Sequence, residues 1–321
     1  MRTRITSRLL STLAVGLFGA CREPAAPVRS AVGGPLFSNV PGDGLKGTIA
    51  FSGDDGNGNG EIFIINADGT GLTQFTHSPF NGGNPNWSPD GQHIAFHSNR
   101  DGAGQIFVMN LDGTGLIQLT HNAFNNYAPA WSPDGKQIAF YSDRDGDNEI
   151  FTMNADGTGE TQLTHNAFND YGPVWSPDGK QITFNSYRNG HWAIFTMHPD
   201  GTGVTQLTNT TGVVTIDDVD PAWSPDGRQL AFASNRDGDF EIFVMNADGT
   251  GVTPLTHHSA GLFDGFPRWS PNGTHVAFHS NREGVFQIFA MNADGTGVTQ
   301  LTHAGGFGDF VPDWEMRSVP R

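Results

Sequence analysis

The chain has 321 residues, 43 of them glycine and only three lysine (Lys46, Lys136 and Lys180), with 17 basic against 33 acidic side chains and a formal net charge of −16. Without clustered Lys and Arg there is nothing to grip a phosphate backbone, so nucleic acid is excluded as a partner. Charged residues are 16% and aromatics 11%, which is not a disordered composition, and abundant glycine with few helix formers suits short strands joined by tight turns.

Arg2, Arg4 and Arg8 precede an apolar run from Leu9 to Ala20. A basic start, a short apolar stretch and small residues at its exit read as an export signal over residues 1–20. The run is too short to span a bilayer, which takes about 20 residues. Cys21 is the only cysteine, so the fold cannot rest on an intramolecular disulfide. Leu17-Phe18-Gly19-Ala20-Cys21 resembles a bacterial lipoprotein box, which implies lipid attachment at Cys21; an ordinary cleaved signal is the alternative. The expected location is the periplasm or outer membrane as a lipoprotein, or outside the cell, with membrane contact only through the lipid. Residues 21–46 carry Pro24, Pro27, Pro35 and Pro41 among glycines and read as a flexible tether.

From residue 47 the chain repeats itself. Trp-Ser-Pro-Asp-Gly begins at Trp87, Trp131, Trp175 and Trp223, with variants at Trp269 and Trp314. Between these recur Ile-Ala-Phe (Ile94–Phe96), Ile-Phe-x-Met-Asn (Ile150–Asn154) and Thr-Gln-Leu-Thr (Thr161–Thr164). Each block is short, β-branched or aromatic, and bounded by Gly, Pro, Asp or Asn, which predicts a strand. Four strands per repeat of about 45 residues is the period of a propeller blade. The expected fold is therefore all-β: a six-bladed β-propeller over residues 47–316, with strands A to D running from axis to rim and a short tail at 317–321. The first repeat lacks strand A and the last ends on Pro312-Asp313-Trp314, an A strand without a B. The C-terminal strand is expected to complete the first blade and close the ring, which removes exposed sheet edges.

The recurring pattern PxWSPDGxxIAFxSxRDGxxxIFxMNxDGTGxxQLT resembles the repeat of the TolB-type β-propeller, over residues 47–314. The resemblance implies the propeller fold. The family's periplasmic namesake carries an α/β domain ahead of its propeller, where this chain is expected to have only the tether.

Six copies in one chain separate scaffold from function. Alternating strands put turns A–B and C–D on one face and loops B–C and D–A on the other. The first face repeats Ser-Pro-Asp-Gly and Asp-Gly-Thr-Gly, so the aspartates Asp68, Asp112, Asp156, Asp200, Asp248 and Asp294 are expected to be turn residues. The second face varies and is rich in aromatics with Asn, Asp and Gly, as recognition surfaces are. The candidate binding residues are Tyr127, Phe168, Tyr171, Tyr187, His191, Trp192, Asp218, Asp220, Phe266 and Arg268. Trp192 is the one Trp outside the repeated core position and is expected to be an exposed contact, beside the longest D–A loop, between blades 4 and 5.

His121, His165, His257 and His303 recur after Leu-Thr, and His77 stands at the same place after Phe75-Thr76. On the outer strands of a sixfold ring they lie at least ~14 Å apart, too far to share an ion at ~2 Å, so they are expected to cap loops or face solvent. Two B–C loops carry weak calcium patterns: Asp55, Asn57, Asn59 and Glu61, and Asp143, Asp145 and Asp147. The first lacks a closing acid and the second holds Arg144, so no metal and no cofactor is expected. There is no G-x-S-x-G, H-E-x-x-H or cysteine nucleophile in the domain. The leading expectation is a monomeric scaffold that binds an envelope protein or a glycan. The alternative is a propeller lyase or hydrolase acting on carbohydrate or lactone, with His191, Asp218, Asp220 and Arg268 at the channel mouth. Three or more polar side chains converging there would favour the enzyme, and an aromatic rim the binder.

Overall fold

The computed structural model describes residues 45–209, 216–258, 261–303, 308 and 310–315. The export signal, Cys21, nearly all of the tether and the tail from residue 317 lie outside the described residues.

Six four-stranded antiparallel sheets form the blades. Blade 1 combines Phe310–Trp314 with Thr48–Asp54, Gly60–Asn66 and Thr73–Gln74. The inner strands of blades 2 to 6 are Gly82–Trp87, Asn126–Trp131, Asp170–Trp175, Asp218–Trp223 and Asp264–Trp269. These inner strands touch their neighbours around the whole ring. The closing strand pairs Trp314 with Ile49 and Asp313 with Ala50, as expected, and the Glu315 amide donates to the Thr48 carbonyl at 2.8 Å.

Strands B and C are continuous apolar runs because both their faces are covered. Ile94, Ala95 and Phe96 are all buried. The core lies between blades rather than within them: Ile49, Phe51 and Trp314 of blade 1 pack with Ala277, Ile288 and Leu301 of blade 6. No blade can bury its faces alone. The outer strand is shorter than the Thr-Gln-Leu-Thr block implied, only two residues in each blade. The reason is local. The second Thr turns its hydroxyl inward to accept the amide of a strand C isoleucine, as Thr164 does from Ile150 at 2.8 Å, and that capture ends the ladder. Short outer strands leave little free edge for association.

The repeated turns are self-capped. In all six Asp-Gly-Thr-Gly turns the aspartate accepts both the amide and the hydroxyl of the Thr, the latter at 2.6 Å. These bonds hold the carboxyls below their usual range, and the carboxylates are turn residues, as expected.

Every inner strand carries a β-bulge at the residue before its proline. Asn84, Ala128, Gly172, Asp220, Phe266 and Val311 have φ between 48° and 58°. An L-residue there costs on the order of 1 kcal/mol or more, and proline restricts the preceding residue further. Six repetitions show that the bulge belongs to the blade, where it bends the innermost strand.

Gly47 sits at the seam of the ring, with φ +103° and room for no Cβ, which would lie 2.8 Å from the indole nitrogen of Trp314. That indole is buried and donates to the Lys46 carbonyl at 3.1 Å, so it cannot yield. Gly102 has φ +104° and open space around it. Gly102→Ala should therefore carry only the backbone strain. Gly47→Ala should add an overpacking cost of about 1–3 kcal/mol. The check is a thermal melt of both variants; equal losses would show that the seam tolerates the extra methyl.

Candidate functional site

The diverging face carries two groups of rings, one on each side of the ring of blades. On one side His97, Tyr127, Tyr141, Tyr171, Trp192 and Tyr187 form a ladder with successive centroids 4.7, 5.7, 4.8, 5.2 and 5.2 Å apart. It runs from blade 2 to blade 4 and uses all four tyrosines of the chain. The Tyr127 hydroxyl donates to Asn125 at 3.1 Å, and Asn148 donates to the Tyr171 hydroxyl at 2.9 Å.

Trp192 is not the exposed contact that its position suggested. It is 7% exposed, wedged against Tyr171 and Tyr187, and its backbone amide donates to the Asp217 carboxylate at 2.8 Å. The physical reason is that this B–C loop brings its own tyrosine, so the large rings bury each other. Asp218 is likewise committed: it is buried and ion-paired to Arg236 at 2.7 Å. Tyr127, Tyr171, Tyr187 and His191 are half-buried.

On the other side His279 sits among Phe263, Phe266, Phe286 and Phe310, with centroids 5.3, 4.9, 4.9 and 5.7 Å away. Its imidazole is buried and neither ring nitrogen has a hydrogen-bond partner. Burial drives its pKa down to about 3, so it is neutral. Phe240 extends the group, 5.1 Å from Phe263.

Exposed rings occur in a row. Phe80, Phe124 and Phe168 occupy one position in three successive D–A loops and are 45%, 45% and 44% exposed. Of the other candidates, Phe266 is half-buried beside His279.

The inner wall carries a polar cluster. Arg268 of blade 6 lies 3.6 Å from the Asp313 carboxylate of blade 1, and Asp220 of blade 5 feels the same guanidinium. Asp313 also accepts the Trp87 amide at 2.8 Å and the Asn86 side chain at 3.1 Å, which ties blade 1 to blade 2. Burial pushes the Asp220 carboxyl up to about 7 and Asp313 up to about 6, with Arg268 opposing both. The structure thus brings Asp220 and Arg268 together and adds Asp313 to them. Asp218 is held by Arg236 instead, and His191 lies near Asp217. A carboxyl near neutrality beside a guanidinium can exchange a proton. Polar convergence and aromatic rim are therefore both present.

Asp313, His279, Phe240 and Phe286 were missed by sequence reasoning. For Asp313 a signal existed: between the Pro and Trp of the inner strand only Arg268 and Asp313 are charged. His279 had no such signal, because its cage joins loops of blade 6 to the closing strand of blade 1, from the far end of the repeat pattern.

His77, His121, His165, His257 and His303 are exposed. Among the described residues no three His, Cys, Asp or Glu side chains are grouped to hold a metal. Asp55 instead accepts from the amides and side chains of Asn57 and Asn59, at 2.8 to 3.3 Å. Asp143 is bound by Asn125 and Asp145 by Gln162, so those carboxylates have separate partners, with Asp147 in the same loop.

These blades, closed by a C-terminal strand, define a six-bladed β-propeller. Residues 19–126, 117–219 and 213–317 match the TolB beta propeller domain, and the chain belongs to that family. No curated protein matches. Among solved structures the chain is similar to TolB from Acinetobacter baumannii, with 26% identity over 86% of this chain and 68% of that one and a TM-score of 0.74. It is also similar to a TolB structure from Agrobacterium tumefaciens, at 25% identity, covering 85% and 92% of the two chains with a TM-score of 0.67. An oligogalacturonate lyase from Vibrio parahaemolyticus shares the fold alone, at 14% identity over 78% and 73%, with a TM-score of 0.54.

A pH dependence follows from the inner wall. Asp220 and Asp313 have pKa values raised above those of the unfolded chain, so their contribution is fully present below about pH 4 and is lost as pH rises through 6 to 7. Asp220→Asn keeps an acceptor and a residue type that tolerates positive φ. It should raise the melting temperature by a few degrees at pH 8 and change it little at pH 5. Equal effects at both pH values would show that Asp220 does not titrate in this range.

Proposed function

We propose that this protein is an exported, envelope-located propeller that binds a partner protein through its B–C and D–A face. The observation that carries this reading is the row Phe80, Phe124 and Phe168. Three large rings at one loop position are left nearly half exposed on the face where the repeats diverge. Folding has no use for exposed rings, while association does. The packed ring groups elsewhere on the same face give it a stiff base, so little entropy is lost on docking. The similarity to TolB structures and the export signal read from residues 1–20 support the envelope location, with Cys21 as its lipid anchor. A glycan is the second class of partner that stacked rings would suit.

A second reading, a propeller enzyme on carbohydrate or lactone, has one observation in its favour: the Asp220, Arg268 and Asp313 cluster on the inner wall.

The test compares the wild-type mature chain with a Phe80→Ser, Phe124→Ser, Phe168→Ser variant in capture from envelope extract. The triple variant should lose its partner, by about tenfold or more in affinity, with an unchanged melting temperature. Full retention of the partner would remove the row from the interface. Loss of binding with Asp220→Asn instead would favour the inner wall.

A further inference from the structure

Five blades carry an arginine in the B–C loop, and blade 1 does not. Arg100, Arg144, Arg188, Arg236 and Arg282 each lay the guanidinium over a strand C phenylalanine, at 4.7, 4.2, 4.4, 4.9 and 4.9 Å from its centroid. Each also donates through Nε to a strand B serine, as Arg188 does to Ser186 at 2.7 Å. In three blades the guanidinium meets a buried aspartate at the start of the inner strand. Each such blade thus supplies its own cation to a site built of two stacked rings and, in most cases, an acid.

Blade 1 keeps the rings. Phe51 and Phe63 stack at 5.7 Å and 19°, like their counterparts. The position of the arginine is taken by Asp55, preceded by Asp54, and Gly53 stands where the serine would be. Phe63 is only half-buried, whereas Phe107, Phe151, Phe195, Phe243 and Phe289 are all at most 5% exposed. The ring that an arginine covers elsewhere is uncovered here. On the loop face of the same blade a cleft is lined by Asp55, Asn57, Glu61, Gln74, His77 and Ser78, and Gln74 links it to Phe63. Glu61 lies two residues from Phe63 on the same side of its strand, and Gln74 pairs with Phe63 across the ladder. Glu61 is buried, accepting from Thr76 and Ser78, and that burial raises its pKa. Arg100 of blade 2 feels Glu61 electrostatically, and the two form no ion pair within 4 Å.

We propose that the blade 1 cleft receives an arginine side chain from the partner protein, laid over Phe63 with the carboxylates of Glu61 and Asp55 beside it. Arginine fits better than lysine because a planar guanidinium stacks on a ring while its fork meets carboxylates. The cleft lies on the B–C and D–A face, so the inference rests on the proposed function in naming what the partner presents.

The experiment needs no partner. Nα-acetyl-arginine amide is titrated into the 15N-labelled mature chain and followed by amide and aromatic chemical shifts. Saturable shifts should be confined to Glu61, Phe63 and Ser78 and their neighbours, with weaker binding of the lysine analogue. Asp55→Arg, which gives blade 1 its own arginine, should abolish them. Phe63→Leu should weaken binding about two- to fivefold, a second readout if Asp55→Arg disturbs the loop. Absence of saturable shifts, their persistence in both variants, or the same shifts with calcium chloride would overturn the assignment. Such a failure would sink the cleft alone, whereas a triple phenylalanine variant that still binds would sink the face.

Discussion

Closure of the ring is the constraint on which the rest depends. The core lies between blades, so each sheet is held only by its two neighbours. A ring with one seam open would expose two apolar faces at once. The seam is shut by a strand from the far end of the chain, with Trp314 against Ile49 and Gly47. Asp313 on that strand reaches Arg268 in blade 6 and Asn86 and Trp87 in blade 2, so one side chain spans the closure. Its raised pKa is the electrostatic consequence of that buried position.

Repetition supplies the scaffold and divergence the surface. The bulge before each proline, the Asp–Thr caps and the Thr-to-Ile bond recur in all six blades, and their small costs recur with them. What differs between copies lies mostly on one face. The packed rings there are sorted by type, with tyrosines and Trp192 over blades 2 to 4 and phenylalanines around His279 over blades 5, 6 and 1. Blade 1 diverges in charge as well, with Asp55 where its siblings place an arginine. A half-buried ring beside acids in the one blade without its own cation is a difference that folding alone does not require.

The sequence was legible where the physics is local. Gly at positive φ, Asp-Gly turns and apolar blocks at a period of about 45 residues led to blade number, strand order and closure. It misled where burial depends on neighbours in space. Trp192 read as an exposed contact because it falls outside the repeat, yet Tyr171 of the inner strand and Tyr187 of its own loop cover it. Asp218 read as a candidate binding residue, though the arginine that neutralises it, Arg236, is part of the same repeated pattern. The missing sixth arginine was visible by counting, but the uncovered face of Phe63 is seen only in three dimensions.

Native-state hydrogen exchange across the seam tests this account most directly. If closure is the shared constraint, the amides of Thr48–Asp54 in blade 1 open only with those of Ile182–Ser186 in blade 4, on the far side of the ring. Both sets should then show the same opening free energy and the same denaturant dependence. Exchange of the blade 1 amides through a separate opening of lower energy, with blade 4 still protected, would contradict it.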